Sequence, residues 1–249
     1  MSLPGVLHDS HNRVIRDLRI SITDRCNFNC VYCLPETEEA ERLSPATANG
    51  KRPFPWKPRS QLLSFEEIAR VARVVASLGV EKIRITGGEP LLRRGVESLI
   101  SQVAAVEAIR DLSLTTNGTH FPRLAKRLKE AGLSRVTISL DSLDRDNFRK
   151  ITGRDAMSEV LDSIRLAKSL ALTPVKINAV IIRGFNDHEI VRLARFAVEA
   201  DIIMRFIEFM PLDARQVWRR DHVVSGAETV SYTHLRAHET DSYLVCRLL

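Results

Sequence analysis

Apolar and polar residues alternate over Leu18-Arg19-Ile20-Ser21-Ile22-Thr23, and this period of two predicts a first strand over 18–23. Further along, the pattern switches repeatedly between a period of two and the helical period of about 3.6. Ser64-Phe65-Glu66-Glu67 has the form of a capping box, in which serine and the glutamate three residues later satisfy free N–H groups at a helix start. Phe65, Ile68, Ala69, Ala72, Val75 and Leu78 recur on one stripe until Gly79 stops the helix. Lys82–Thr86 reads as a short strand, followed by the turn Gly87-Gly88-Glu89-Pro90 and a helix over 96–107. A strand over 112–115 is broken by Asn117-Gly118, and a helix over 122–131 is stopped by Gly132. Residues 135–140 form a strand with Val136, Ile138 and Leu140 on one side. Leu161, Ile164, Ala167 and Leu170 mark a helix over 158–170, before a strand over 175–182. Asn186, with Glu189 three later, is expected to cap a helix running to 200, and a sixth strand covers 202–206.

Strand and helix thus alternate through six strands, the order of a parallel sheet with right-handed crossovers. The count is two units short of an eight-stranded barrel, and the pattern alone fits a flat doubly wound sheet equally well. The length of 249 residues suits one sizeable domain, and no repeat larger than the βα unit is present. Residues 1–15 read as an irregular lead-in. Residues 36–60 carry Pro45, Pro53, Pro55 and Pro58, with Pro35 just before, and an acidic cluster followed by a basic one. That is a long loop, either a lid or a mobile excursion.

Composition narrows the function classes. The chain is 44% hydrophobic and 27% charged, ordinary for a soluble enzyme, and its net charge of +6 is compatible with a polyanionic ligand. No lysine- and arginine-rich block with interleaved aromatics points to nucleic acid. Met1–Arg13 has no long apolar run, and nowhere are there about 18 consecutive apolar residues, so neither a signal peptide nor a membrane span is expected. Clustered thiols then fit a reducing cytoplasm.

The chemistry concentrates in Asp24-Arg25-Cys26-Asn27-Phe28-Asn29-Cys30-Val31-Tyr32-Cys33, which holds three of the four cysteines, spaced Cys-x₃-Cys-x₂-Cys. Three thiols on a loop leaving a strand's C-terminal end suit a soft metal centre, Zn²⁺ or an iron–sulfur cluster. On a four-iron cube, three protein ligands leave one iron open to a small molecule. A disulfide framework does not suit so few cysteines, clustered and odd in number. A structural zinc site needs a fourth ligand at short spacing, and the nearest downstream candidate is His120.

This spacing, with Tyr32 just before the last cysteine, resembles the signature of radical S-adenosylmethionine (SAM) enzymes. The run Arg16-Asp17-Leu18-Arg19-Ile20-Ser21-Ile22-Thr23-Asp24-Arg25-Cys26-Asn27-Phe28 is similar, nearly residue for residue, to the GTP 3′,8-cyclase family of molybdenum cofactor biosynthesis. The resemblance implies a partial (β/α)6 TIM-like barrel of the radical SAM type. It implies that Cys26, Cys30 and Cys33 hold a catalytic [4Fe–4S] cluster, with SAM chelating the fourth iron through its amino and carboxylate groups. One electron then cleaves the sulfonium, and the 5′-deoxyadenosyl radical abstracts hydrogen from the ribose of GTP. Ring closure yields (8S)-3′,8-cyclo-7,8-dihydroguanosine 5′-triphosphate.

Further positions follow from the same resemblance. Gly88, in the turn after Arg84-Ile85-Thr86, is similar to the family's SAM-binding turn, where glycine permits close backbone approach. Tyr32 and Met210 are similar to contacts of the SAM adenine, and Ser139 to a contact of its ribose. Arg19, Arg84, Thr115 and Lys176 are similar to GTP-binding positions, with three cations expected to converge on one strand-end face, as a triphosphate requires. Ligands of βα folds gather at the C-terminal ends of strands. Cys26, Gly88, Thr115, Ser139, Lys176 and Met210 are expected at or near those ends or in the following loops, Lys176 least tidily, since it comes early in its strand. His8, His11, His120, His188, His222, His234 and His238 resemble no catalytic position and are expected at the surface.

The resemblance runs from about 13 to 229, with a core over 16–212 and the start of the family's C-terminal region over 213–230. The family continues with three further cysteines, Cys-x₂-Cys and one later, for a second [4Fe–4S] cluster that binds guanine, and with a Gly-Gly tail. This sequence has neither, and Cys246 is a lone thiol. Residues 231–249 read as translated adaptor DNA rather than a domain, or else as a divergent natural terminus. The expectation is a C-terminally truncated enzyme that keeps SAM cleavage and is impaired in turnover of GTP. Implied partners are GTP, an electron donor, the cyclic pyranopterin monophosphate synthase that would take the product, and a second copy in a homodimer. The rival readings are another radical SAM enzyme with a different substrate and a non-catalytic zinc-binding scaffold.

Overall fold

A computed structural model describes residues 5–33, 56–211 and 218–237. Most of the expected loop 36–60, the boundary near 212 and the tail beyond 237, with Cys246 and His238, lie outside the described residues. Six strands, β1 Asp17–Ser21, β2 Lys82–Thr86, β3 Asp111–Thr116, β4 Arg135–Ser139, β5 Lys176–Ile181 and β6 Ile203–Glu208, form one sheet in the order of their sequence. The pairs β1–β2, β2–β3 and β5–β6 run parallel. A doubly wound sheet reverses its strand order at a switch point. The unbroken order seen here excludes that alternative and matches a (β/α)6 arrangement.

The chain divides into two compact units. The first comprises Met1–Asn27, Trp56–Thr137 and Asp162–Val175. It carries helices α1 Phe65–Ser77, α2 Val96–Ala104 and α3 Phe121–Glu130, with α1 packed on α2 and α2 on both α3 and β3. The expected capping box opens α1: the Glu67 N–H donates to the Ser64 hydroxyl at 3.1 Å, and the Ser64 N–H to the Glu67 carboxylate at 2.7 Å. Such a cap stabilises a helix by about 1 kcal/mol. Ile83, Ile85, Leu112 and Leu114 are buried on one sheet face, as are Ile68, Leu99, Phe121 and Leu128 on the helices. The alternate strand positions are polar. Asp17, Lys82 and Asp111 share one register, and Arg19, Arg84 and Ser113 the next.

The second unit comprises Phe28–Pro55, Ile138–Leu161 and Lys176–Leu249. Here α4 Arg145–Thr152 was not anticipated. Asp144 caps it, accepting the Asn147 N–H at 2.8 Å, and Gly153 ends it at φ +69°. Only Phe148 and Ile151 anchor its apolar side, too sparse a stripe to read from the sequence. Helix α5 Met157–Ser169 runs from this unit into the first. Helix α6 Ile190–Glu199 packs on β6 and on α7 Gly226–Ala237, a second unanticipated helix, which continues past position 231 and buries Thr229 and Thr233. Arg183 pairs with Glu228 of α7 at 2.6 Å.

One expected cap is absent. Asn186 makes no capping bond to α6, which a short 3₁₀ turn over Asp187–Glu189 precedes. Its side chain turns inward instead, accepting the Ile182 N–H at 2.8 Å and donating to the carbonyls of Asp141 and Val180 at 2.7 and 2.8 Å. A buried amide with three backbone partners outweighs an exposed cap, because each buried bond left unmade costs more than the cap stabilises. Among the described residues no helix is long and apolar enough to cross a membrane.

Candidate functional site

In the first unit, the loop after β1 is braced by the turn after β2. The Gly88 N–H donates to Thr23 O and the Glu89 N–H to Arg25 O, both at 2.7 Å. A Cβ on Gly88 would stand 2.4 Å from Arg25 O and 2.6 Å from Asp24 O. Glycine is required here because two backbones touch, whatever ligand the turn also serves. Glu89, fully buried, accepts from Leu91 N at 3.0 Å, Thr116 Oγ1 at 2.8 Å and Asn117 N at 2.7 Å. Burial pushes its carboxyl up to about 7, against the pull of those three donors.

Asn117 carries the network onward to the first thiol. Its Nδ2 donates to Asn27 Oδ1 at 2.7 Å and lies 3.9 Å from Cys26 Sγ. Its Oδ1 accepts from Thr119 Oγ1, and Asn27 Nδ2 closes the circuit onto that same hydroxyl at 2.9 Å. The turn after β3 therefore fixes the start of the cysteine loop.

On the polar strand face of this unit, Arg19 and Arg84 stand opposite each other across β1 and β2. Burial, then the charges of Arg19 and Arg135, lower the Arg84 pKa, with Asp17 and Asp111 opposing. Arg84 Nε is buried without a hydrogen-bond partner among the described residues. Arg135 is instead neutralised by a two-pronged pair with Asp111. Like charges in one register destabilise a sheet unless an anion joins them.

In the second unit, Cys30 and Cys33 share a tight turn, closed by Cys33 N–H to Cys30 O at 2.9 Å. Asn29 and Val31 donate backbone bonds to the end of α4, at Thr152 and Ile151. Val31 is buried with Ile151, Ile182 and Phe209, and Tyr32 packs against that cluster. Phe28 meets Phe148 edge to face, with ring centroids 6.0 Å apart. The Tyr32 hydroxyl donates to Asp141 Oδ2 at 2.7 Å, while Val180 N–H holds Oδ1 at 2.8 Å. Burial pushes Asp141 up to about 6, against both donors. Burial first, then the charges of Asp141 and Cys30, push the Tyr32 hydroxyl well above its ordinary value.

The anticipated positions divide as follows. Cys26 and Gly88 lie in loops after strand ends, Thr115 is next to last in β3 and Ser139 is last in β4. Met210 follows β6 and is 47% exposed. The three expected cations fall on two units, Arg19 and Arg84 on the first and Lys176 on the second. Arg19 and Arg84 sit mid-strand in one register, and Lys176 is the first residue of β5. A strand whose alternate residues are polar places such side chains along its length as readily as at its tip. His120 and His222 are half-buried rather than superficial.

Glu89, Asn117 and Asp141, which brace the cysteine loop, were not singled out in the sequence. Asp141 and Tyr32 are 109 positions apart, and no sequence signal joins them.

The donor set fits an iron–sulfur centre. Cys26, Cys30 and Cys33 are not in disulfides, each is at least partly exposed, and an amide N–H is aimed at one sulfur, the kind of bond that supports a cluster thiolate. Among the described residues no three His, Cys, Asp or Glu side chains gather around one ion-sized point. A four-iron cube puts each thiolate on a separate iron, so its ligands stand wider apart than those of a single ion.

Comparison with known proteins then bears on this loop. The family model of the radical SAM superfamily matches residues 20–197. The GTP 3′,8-cyclase of Syntrophomonas wolfei is 45% identical over 224 residues, which are 90% of this chain and 64% of that protein. That of Streptomyces coelicolor is 44% identical over 232 residues, 93% of this chain and 64% of that protein. The chain thus spans somewhat less than two thirds of these relatives. Among solved structures, Streptococcus suis SuiB bound to S-adenosylmethionine aligns with a TM-score of 0.70 at 16% identity, over 96% of this chain and 52% of that one. A structure of anSMEcpe with bound AdoMet and a peptide aligns with a TM-score of 0.67 at 17% identity, over 93% and 63%. At such identities the likeness is one of fold.

Proposed function

The chain belongs to the radical SAM superfamily, and from that premise we propose that it is the SAM-cleaving part of a GTP 3′,8-cyclase. That enzyme converts GTP to (8S)-3′,8-cyclo-7,8-dihydroguanosine 5′-triphosphate, for hand-off to a cyclic pyranopterin monophosphate synthase in the reducing cytoplasm. Relatives so named, at 44–45% identity, support the substrate. The observation that carries it is the pair Arg19 and Arg84, side by side in one register on the strand face of the unit that also holds Cys26, with Arg84 Nε buried and without a hydrogen-bond partner among the described residues. Two guanidiniums in one register suit the adjacent oxygens of a bound polyphosphate.

The cysteine thiolates Cys26, Cys30 and Cys33 would hold a [4Fe–4S] cluster, which with bound SAM supplies the one-electron cleavage and the hydrogen-abstracting radical. The chain itself binds and orients. Asn117 directs its amide N–H at the Cys26 sulfur. Asp141 fixes the Tyr32 ring through the phenol, and that residue would contact the adenine. Gly88, whose N–H is held by Thr23 O, would offer its carbonyl to the methionine end, Ser139 a hydroxyl to the ribose and Met210 an apolar contact to the adenine. Arg19, Arg84, Thr115 and Lys176 would take GTP.

The test is reductive cleavage of SAM by anaerobically reconstituted protein, with GTP affinity measured by titration. The reading predicts 5′-deoxyadenosine, and an Arg84→Ala variant that loses GTP affinity while retaining SAM affinity. Cleavage with no GTP affinity in the unmodified protein would transfer the chain to another radical SAM substrate. No cleavage from an intact reduced cluster would reject catalysis.

A further inference from the structure

A hollow of 410 Å³ in the first unit is lined by five cations, Arg25, Lys57, Arg59, Arg93 and Arg94, with a threonine and two leucines; among the described residues the one carboxylate bonded to a lining residue's backbone is Asp24, which accepts the Lys57 N–H at 2.6 Å. Arg93 is committed to the fold. Its guanidinium donates to Ile22 O at 2.9 Å and Leu63 O at 2.5 Å, and lies 4.4 Å from the centroid of the Phe65 ring. The other four side chains are exposed and make no ion pair among the described residues. Around them Leu63 is 49% exposed and Leu92 38%. Arg25 immediately precedes Cys26, and its carbonyl is tied to the Glu89 N–H, so the hollow opens beside the backbone that presents the first thiol.

We propose that this hollow is the docking surface of a small acidic protein that carries single electrons. The inference rests on the functional reading above, since only a chain with a reducible cluster needs such a carrier. Charge complementarity selects an acidic partner. Exposed leucines beside long, solvated cations form the apolar centre and charged surround of a protein interface. A small-anion pocket would instead converge buried N–H donors on one point. The transfer it serves oxidises the carrier by one electron and reduces the cluster by one, with no bond made or broken.

The experiment compares the unmodified chain with a Lys57→Glu/Arg59→Glu/Arg94→Glu variant, using purified bacterial flavodoxin as the acidic carrier. Binding is followed by interferometry at low and physiological salt. Bleaching of the cluster absorbance is followed with flavodoxin and, separately, with dithionite. The expected result is binding that weakens with salt, falls at least about tenfold in the variant, and slows flavodoxin-driven bleaching while dithionite-driven bleaching is unchanged. Equal flavodoxin affinity in both proteins, or affinity indifferent to salt, would overturn the proposal. So would binding of inorganic triphosphate at these residues with flavodoxin affinity unaltered, which would assign the hollow to a small anion. Absence of SAM cleavage with dithionite refutes the enzymatic reading instead, whereas cleavage with unaltered flavodoxin affinity refutes only the surface.

Discussion

Replacing Glu89 by glutamine separates two effects that the buried carboxylate combines. Oε2 accepts the Asn117 N–H at 2.7 Å, and Oε1 accepts Leu91 N and Thr116 Oγ1. A glutamine NH₂ must face one backbone N–H or the other, leaving a buried donor unsatisfied at a cost of about 1–3 kcal/mol at any pH. The second effect depends on pH. Glu89 is raised from 4.5 to about 7 in the fold, so between those values the folded state keeps a proton that the unfolded state has released. Stability therefore falls as pH rises from about 4.5 to about 7, by about 3 kcal/mol in all, and is flat above. Glutamine does not ionise and escapes that penalty. Glu89→Gln should be destabilised by about 1–3 kcal/mol at about pH 4, below both values, and at about pH 8 be as stable as the parent or up to about 2 kcal/mol more stable. Urea unfolding of the metal-free protein at both pH values measures this. The same loss at both would refute the assignment of a raised carboxyl.

Three further changes probe the supports of the cysteine loop. Gly88→Ala drives a Cβ against Arg25 O and should lower stability by about 1–3 kcal/mol; an unchanged Tm would show that the two backbones are not in contact. Tyr32→Phe removes the donor to Asp141 Oδ2 and should move that carboxyl above its present value of about 6. The expected loss is about 1–3 kcal/mol near neutral pH, shrinking in acid, where a protonated Asp141 needs the phenol less; pH-dependent urea unfolding reads both. Asn186→Asp keeps the acceptor for Ile182 N–H but sets an oxygen against the carbonyls of Asp141 and Val180. It should cost about 3 kcal/mol, and a variant as stable as its parent would contradict the inward orientation.

What the sequence disclosed was whatever a single segment determines. The strand Lys82–Thr86 and the capping box at Ser64 are set by neighbours within a few positions, and both are seen as expected. Helix α4 escaped because its apolar stripe is only Phe148 and Ile151, although Asp144 and Gly153 already marked its ends. Asn186 misled because a cap and an inward-turned amide look identical until the neighbouring strands are in place. In the site, spacing alone singled out the three cysteines as candidates. The groups that hold them were not, since Glu89 meets Asn117 and Tyr32 meets Asp141 only after distant strands assemble.

The central claim is that Cys26, Cys30 and Cys33 together hold a four-iron cluster. Iron, acid-labile sulfide and zinc per chain, determined on anaerobically reconstituted protein beside a Cys26→Ser/Cys30→Ser/Cys33→Ser variant, test it most directly. The account predicts about four irons and four sulfides per chain, lost in the variant. About one zinc per chain, with no iron–sulfur absorbance, would contradict it.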